Sequence, residues 1–339
     1  MTGNGTSVRV PSSRTKFSTF LYCVTGFPAT VFSLLLFVTI LRYKALRRRK
    51  EYVMICGLAC ADFLGGLGTF LMGLYRFILI LAGEYYTPVY RLVCLFVPYI
   101  PIFEISDIVT ALMLVVVNVD RVFAVGNPLK YLKLRIGYAQ KFVLAVYSCG
   151  LLNLLFGYVY PLLTWDTIVS LKCSTGNVYH RAYFSAMTYF SSVASFTSIL
   201  VYGLAFYFCM KETRKVHDNS KKQTEHKLSV QRKMTVTFGI SSLCTLLFDS
   251  IPRAVGIYIY TFRGRLLIFG LDFTGIGNYF WCFLKFNGVA NFFIFGARHR
   301  EVRYAVRSLL TGKSLPPNIN NWGTSVAQPQ TNNAKSVAN

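Results

Sequence analysis

Ionisable side chains interrupt stretches of this chain that are otherwise almost wholly apolar. Asp62, Glu104, Asp107, Asp249 and Lys285 each sit inside such a stretch, and the pair Asp120-Arg121 closes one. A charge held in hydrocarbon is costly, so each of these residues reads by default as functional and in need of a partner. Lys285 is the most unusual. From mid-membrane its stem does not reach water, which leaves three arrangements: an ion pair, a ligand anchor acting with Asp107, Glu104 or Asp249, or an ammonium facing a water pocket. Phe103, Glu104 and Asp107 fall within one helical turn of one another. If they face the segment that carries Lys285, they line a pocket with Phe280 and Trp281 that is aromatic and holds both charge signs. Such a pocket suits a small amphipathic or zwitterionic ligand; packing between satisfied polar groups is the plainer alternative. Asp62, within Leu58-Ala59-Cys60-Ala61-Asp62, must find hydrogen-bond donors or a cation. Acids and a lysine in one membrane could also relay protons or ions, the reading of a coupled transporter, although the chain shows no inverted repeat to support it. Nothing in it resembles a metal cluster, a nucleotide loop or a hydrolytic triad, so it is not expected to be an enzyme.

The elements that must position these residues follow from the hydropathy. With 54% hydrophobic and 14% charged residues over 339 positions, the chain is too apolar for a soluble domain. Seven apolar segments are long enough to cross about 30 Å of hydrocarbon: about Thr19–Leu41, Tyr52–Leu81, Leu92–Val125, Phe142–Trp165, Tyr183–Met210, Met234–Thr261 and Asp272–Phe295. The fold class is therefore an all-α membrane protein, a seven-helix bundle. The net charge of +23 lies in short runs between apolar segments, with no basic stripe or RNA-binding motif, so it marks membrane flanks rather than a nucleic-acid partner. Odd-numbered connections and the C-terminal region hold 24 lysines and arginines against 8 for the N-terminus and even connections. By the positive-inside rule, the N-terminus is outside and the C-terminus in the cytoplasm, an orientation expected here in the plasma membrane. Asn4-Gly5-Thr6 is then a glycosylation sequon at Asn4 on the outer side. After the bundle, Val302, Ala305, Val306, Leu309 and Leu310 recur at three- and four-residue spacing opposite arginines, the pattern of an amphipathic helix on the inner leaflet. The expected organisation is an outer N-terminus over 1–18, the bundle over 19–297, the amphipathic helix over 298–311 and a polar, disordered tail over 312–339.

Asn118-Val119-Asp120-Arg121-Val122, followed by Pro128 and Tyr131, resembles the Asp-Arg-Tyr region of rhodopsin-like G-protein-coupled receptors, with Val122 replacing the usual tyrosine. The resemblance extends to Pro252 in the sixth segment, which matches the family's kink proline, and to Asn291 in the seventh. It departs at Ser250, where a tryptophan is usual, and at Phe292 and Phe295, where proline and tyrosine are usual. The Asn291-Phe292 form followed by Arg300, Glu301 and Arg303 resembles the nematode Srsx-type chemosensory receptors.

The resemblance implies a receptor that senses a small molecule or peptide from outside and couples to a heterotrimeric G protein through Asp120, Arg121 and the loop at Pro128. It implies a disulfide between Cys94 and Cys173, with two free cysteines as the alternative, and a kinked or extended start to the third helix at Pro98 and Pro101. It implies a sodium ion at Asp62, although Ser33 stands where the family has an asparagine. Where many relatives carry an acid that holds the motif arginine, this chain has Arg232, so Asp120 is expected to be the principal restraint on Arg121. Opsins carry their retinal-bearing lysine at the offset from the seventh-segment asparagine that Lys285 occupies. A retinal Schiff base is therefore an alternative reading, against which Tyr99 stands at the usual counterion position; otherwise no cofactor is expected.

Overall fold

The computed structural model describes residues 11–217, 236, 239–240, 242–261, 267–268, 271–272 and 277–313. The sequon at Asn4, Arg232, the rest of the basic loop beyond 217 and the tail beyond 313 lie outside them.

Five described helices are long and apolar enough to cross a membrane: α1 (Ser13–Arg42), α3 (Lys50–Ala82), α5 (Tyr99–Gly126), α7 (Ile136–Leu163) and α9 (Arg181–His217). Short helices join some of them: α2 (Lys44–Arg47), α4 (Arg91–Leu95), α6 (Pro128–Lys133) and α8 (Thr175–Val178). The sixth apolar segment is described as a π-helical turn over Leu246–Ser250 that runs into α10 (Ile251–Thr261). The seventh, expected as one helix, is two: α11 (Gly277–Phe283) and α12 (Phe286–Arg298). Between them Lys285 N donates to Cys282 O at 3.2 Å, a tight three-residue turn in place of the helical ladder. The amphipathic helix α13 (Arg300–Thr311) follows.

Local chemistry accounts for several boundaries. The first helix starts six residues before its apolar run because the Ser12 hydroxyl accepts from Thr15 N at 3.3 Å and caps it. Gly83, at φ 77°, closes α3 in the left-handed conformation that glycine adopts without steric cost. The third apolar segment is interrupted between Leu95 and Tyr99, and Pro98 precedes the first residue of α5, so the expected distortion takes the form of a break between two helices. Pro252 cannot donate to the turn before it, and the backbone there widens into the π turn that carries Asp249 and Ser250.

The central helix is α5, which packs against α3, α7 and α9. Half of its apolar window is buried, against 22% for α7, whose Leu144, Leu151, Leu155, Phe156 and Leu163 face outward as side chains facing lipid would. Helices α1 and α3 approach closely because glycines face the partner backbone: a Cβ at Gly66 would lie 2.7 Å from Thr30 N, and one at Gly26 2.5 Å from Phe70 N. The apolar core forms two groups. One surrounds Tyr52, Ile55, Val109, Met113 and Phe295, and the other, at the opposite end, surrounds Cys94, Tyr99, Ile100, Cys173 and Val178.

That second end is tied by a disulfide between Cys94 and Cys173. Beside it the strands β1 (Pro88–Tyr90) and β2 (Ile168–Ser170) pair antiparallel, Val89 opposite Val169, joining the connection after α3 to the one after α7. Cys173 has φ 44°, an uncommon value for a residue with a Cβ. The disulfide and the Tyr99 hydroxyl, which donates to Cys173 O at 2.6 Å, hold it there. The short strands β3 (Leu267–Ile268) and β4 (Leu271–Asp272) form a second antiparallel pair.

Removing the bridge with Cys94→Ser/Cys173→Ser is expected to destabilise the protein by about 2–5 kcal/mol, the usual cost of losing a native disulfide. Melting curves of the purified protein with and without reductant check this. Wild type should melt lower when reduced, and the double variant should show the same curve in both conditions.

Candidate functional site

Asp62, Asp107, Asp249 and Lys285 border one small cavity in the middle of the bundle, together with a residue that the sequence did not single out. Arg253, the residue after Pro252, is buried, and its Nη1 lies 2.7 Å from Asp107 Oδ1 on α5. Its Nε donates to Asp249 Oδ1 at 3.0 Å, four residues back on its own segment. The remaining carboxylate oxygens are bonded by α9: the Ser191 hydroxyl donates to Asp107 Oδ2 at 2.7 Å and the Ser195 hydroxyl to Asp249 Oδ2 at 2.6 Å. One guanidinium thus joins α5, α9 and the sixth segment, and both acids have hydroxyl donors as well as a counter-charge. An i, i+4 acid and arginine on one helix was a legible signal for half of this arrangement; the partner on α5 was not.

Asp107 and Asp249 were two of the three acids that could have partnered Lys285. The structure gives them to Arg253, whose planar fork meets two carboxylates at once. Among the described residues no carboxylate forms an ion pair with Lys285. Its ammonium lies over the Phe103 ring, 4.9 Å from the centroid. It borders a small cavity of about 20 Å³ that is also lined by Asp62, Ser106, Thr110 and Asn287. Room for its end comes from Gly65, where a Cβ would lie 3.4 Å from Lys285 Nζ and 3.5 Å from Ser106 Oγ. Asp62 accepts from Asn291 Nδ2 at 3.0 Å, and Asn287 accepts from the Thr245 hydroxyl at 3.1 Å, joining the sixth and seventh segments.

Glu104 also departs from expectation. Its carboxylate accepts from the Tyr183 hydroxyl at 2.8 Å and from Asn153 Nδ2 at 3.2 Å, so it faces α9 and α7 rather than the seventh segment. Successive helical residues are rotated by about 100°, which turns Glu104 away from the side that Phe103 presents to Lys285. Phe103, Glu104, Asp107 and Trp281 nonetheless border one larger cavity of about 520 Å³, together with Met72, Arg76 and residues of α8 and α9. The Phe280 side chain lies outside the described ones. Near the disulfide end, Arg76 Nε donates to Lys172 O at 3.3 Å, and the Lys172 ammonium lies over the rings of Tyr85 and Tyr86. Burial, reinforced by Arg76, holds the Lys172 pKa below its ordinary value. Tyr99, at the expected counterion position, instead donates to Lys172 O and Cys173 O.

At the far end of α5 the Arg121 guanidinium is buried and bonded to Asp120. Arg121 Nη2 also donates to the Tyr131 hydroxyl at 3.4 Å, and that hydroxyl donates to Asp120 Oδ2 at 3.1 Å. Burial pushes the Tyr131 phenol well above its ordinary pKa, which keeps it a donor. Pro128 stands at the first position of α6, the helix that presents Tyr131. Asn118 donates to Ser198 O at 2.9 Å and to Ser198 Oγ at 2.6 Å, fastening α5 to α9 one turn before the motif. A second tether escaped the sequence reading: Glu301 at the start of α13 takes Arg49 Nη1 at 2.9 Å and accepts from the Tyr52 hydroxyl, which docks the amphipathic helix on α3. Val302 and Ala305, expected on the leaflet-facing side, are instead buried in the core cluster, whereas Leu310 is exposed.

These features define the class: a multi-pass helical membrane protein whose central helix joins a cavity at one end to a buried Asp-Arg pair at the other. The family model described as 7 transmembrane receptor (rhodopsin family) matches residues 33–258, and the chain belongs to that family. A search of curated proteins returned no match.

Two groups linked to relatives can be tested against these residues. For sodium at Asp62 the oxygen donors Asp62, Ser106, Thr110 and Asn287 are present, but an ammonium borders the same cavity, whose volume is little more than one water needs. The residues do not fit a dissolved cation there. For retinal, Lys285 Nζ is turned toward Gly65 and Ser106 at this small cavity and lies over the Phe103 ring, which borders the larger one.

Removing the central guanidinium with Arg253→Met would strand the buried Asp249 and the partly exposed Asp107. A loss of about 3–5 kcal/mol in stability is expected. The triple variant Arg253→Met/Asp107→Asn/Asp249→Asn should recover a large part of it in thermal unfolding of the purified protein, because no uncompensated charge is left behind.

Proposed function

We propose that the protein is a chemosensory-type receptor that binds a small extracellular ligand in the 520 Å³ cavity and signals to a heterotrimeric G protein. The observation that carries this reading is the placement of cavity and motif at opposite ends of α5, the most buried of the five described membrane-length helices. In this reading the disulfide end faces outward and the Arg121 end faces the cytoplasm, in accord with the distribution of lysine and arginine. Ligand bound among Phe103, Glu104, Asp107 and Trp281 abuts the Arg253 network, and through it the π turn and Pro252 of the sixth segment. Ligand contact that differs between two arrangements of that segment shifts the population toward the one in which Arg121 leaves Asp120. Arg121, Asp120 and the turn at Pro128 then receive the G protein. Mixed charge and aromatic lining favour an amphipathic or zwitterionic ligand, and the resemblance to Srsx-type receptors favours an environmental chemical over a lipid.

Nucleotide exchange on purified G protein, measured in membranes that contain the receptor, tests the coupling. Asp120→Asn should raise ligand-free exchange severalfold over wild type, and Arg121→Ala should bring it to background. Equal, near-zero rates for wild type and Asp120→Asn in every G-protein subtype would sink the proposal. Orientation is checked separately in intact cells, where Asn4→Gln should abolish a glycosidase-sensitive shift in gel mobility.

A further inference from the structure

We propose that Lys285 supplies a tethered cation to Asp62, so that this receptor uses its own ammonium where a dissolved sodium ion would otherwise bind, and is insensitive to sodium. The argument begins with the distribution of counter-charges. Five charged side chains border the small mid-bundle cavity: Asp62, Asp107, Asp249, Arg253 and Lys285. Arg253 is committed to Asp107 and Asp249 at 2.7 and 3.0 Å, and serines of α9 complete both carboxylates. Among the described residues Lys285 is then the remaining cation at this cavity, and Asp62 is the acid that lacks an ion-paired partner.

Geometry supports the assignment. The break between α11 and α12 falls at Leu284 and Lys285, and the Lys285 side chain ends within van der Waals distance of where a Cβ on Gly65 would stand, one helical turn after Asp62 on α3. Ser106 Oγ is equally near that point. The ammonium therefore borders the same polar space as Asp62, and that cavity, about 20 Å³, has room for about one water. A water there can bridge ammonium and carboxylate, whereas a second cation would meet the fixed positive charge that borders the same poorly screened cavity. On the other side of Asp62, α12 closes the space: a Cβ on Gly288 would lie 3.1 Å from both Asp62 Cβ and Ser33 Oγ.

The test is the thermal stability of the purified full-length receptor in sodium chloride against potassium chloride at equal ionic strength, which requires neither ligand nor G protein. Wild type should melt at the same temperature in both salts; a sodium-specific rise overturns the proposal. Lys285→Met and Lys285→Gln, two variants so that one folding failure is not decisive, should gain a sodium-specific rise that is lost when Asp62→Asn is added. If the folded lysine variants stay as indifferent to sodium as wild type, the lysine is not what excludes the ion and the proposal falls. Absence of G-protein coupling would leave these outcomes unchanged.

Discussion

The bundle is arranged around one buried guanidinium. Arg253 holds Asp107 of α5 and Asp249 of its own segment, and because each acid also takes a hydroxyl from α9, three membrane-crossing elements meet at a single side chain. In a low-dielectric interior the cost of desolvating an arginine is offset only if its charge is matched by carboxylates close by. The π turn over Leu246–Ser250 contributes to that match, since it sets Asp249 one helical turn before Arg253 on a backbone already loosened by Pro252. The other charges then have little choice: with both neighbouring acids committed, Lys285 is left to the cavity it shares with Asp62.

The Arg121 end follows a different rule. Here the guanidinium is held by the adjacent acid and by a tyrosine from the next short helix, and Tyr131 Oη is in turn 3.5 Å from Glu51 on α3. Phe295, where relatives have tyrosine, is fully buried and stacks near His299, which also meets Tyr52 edge-on. An aromatic ring without a hydroxyl can pack here because the hydrogen bonding at this corner is carried by Tyr52 and Glu301. Arg121 is thus held by Asp120 and by Tyr131 of α6, while Glu301 ties α13 to α3.

Membrane helices were legible because hydrocarbon imposes a length and a composition that water does not. The fold class, five of the crossing segments, the amphipathic helix, the family and the pairing of Asp120 with Arg121 could all be read in this way, since each rests on local composition or on a motif of adjacent residues. The break at Lys285 and the exact start of α1 could not, because they depend on a cap and on a turn that hydropathy does not weigh.

Partner choice among the buried charges was decided only by the tertiary structure. The sequence by itself determined that Asp62, Asp107, Asp249 and Lys285 must each find compensation, and that Glu104 must find donors. Which partner each one meets depends on the rotation and depth of helices far apart in the chain, and a rotation of about 100° per residue separates Glu104 facing Tyr183 from Phe103 facing Lys285. Arg253 was passed over because an arginine beside a kink proline carries no local mark of burial. Its place at the centre exists only once α5 and α9 are packed around it, and the charge pairing, and with it the role left to Lys285, is a property of that packing.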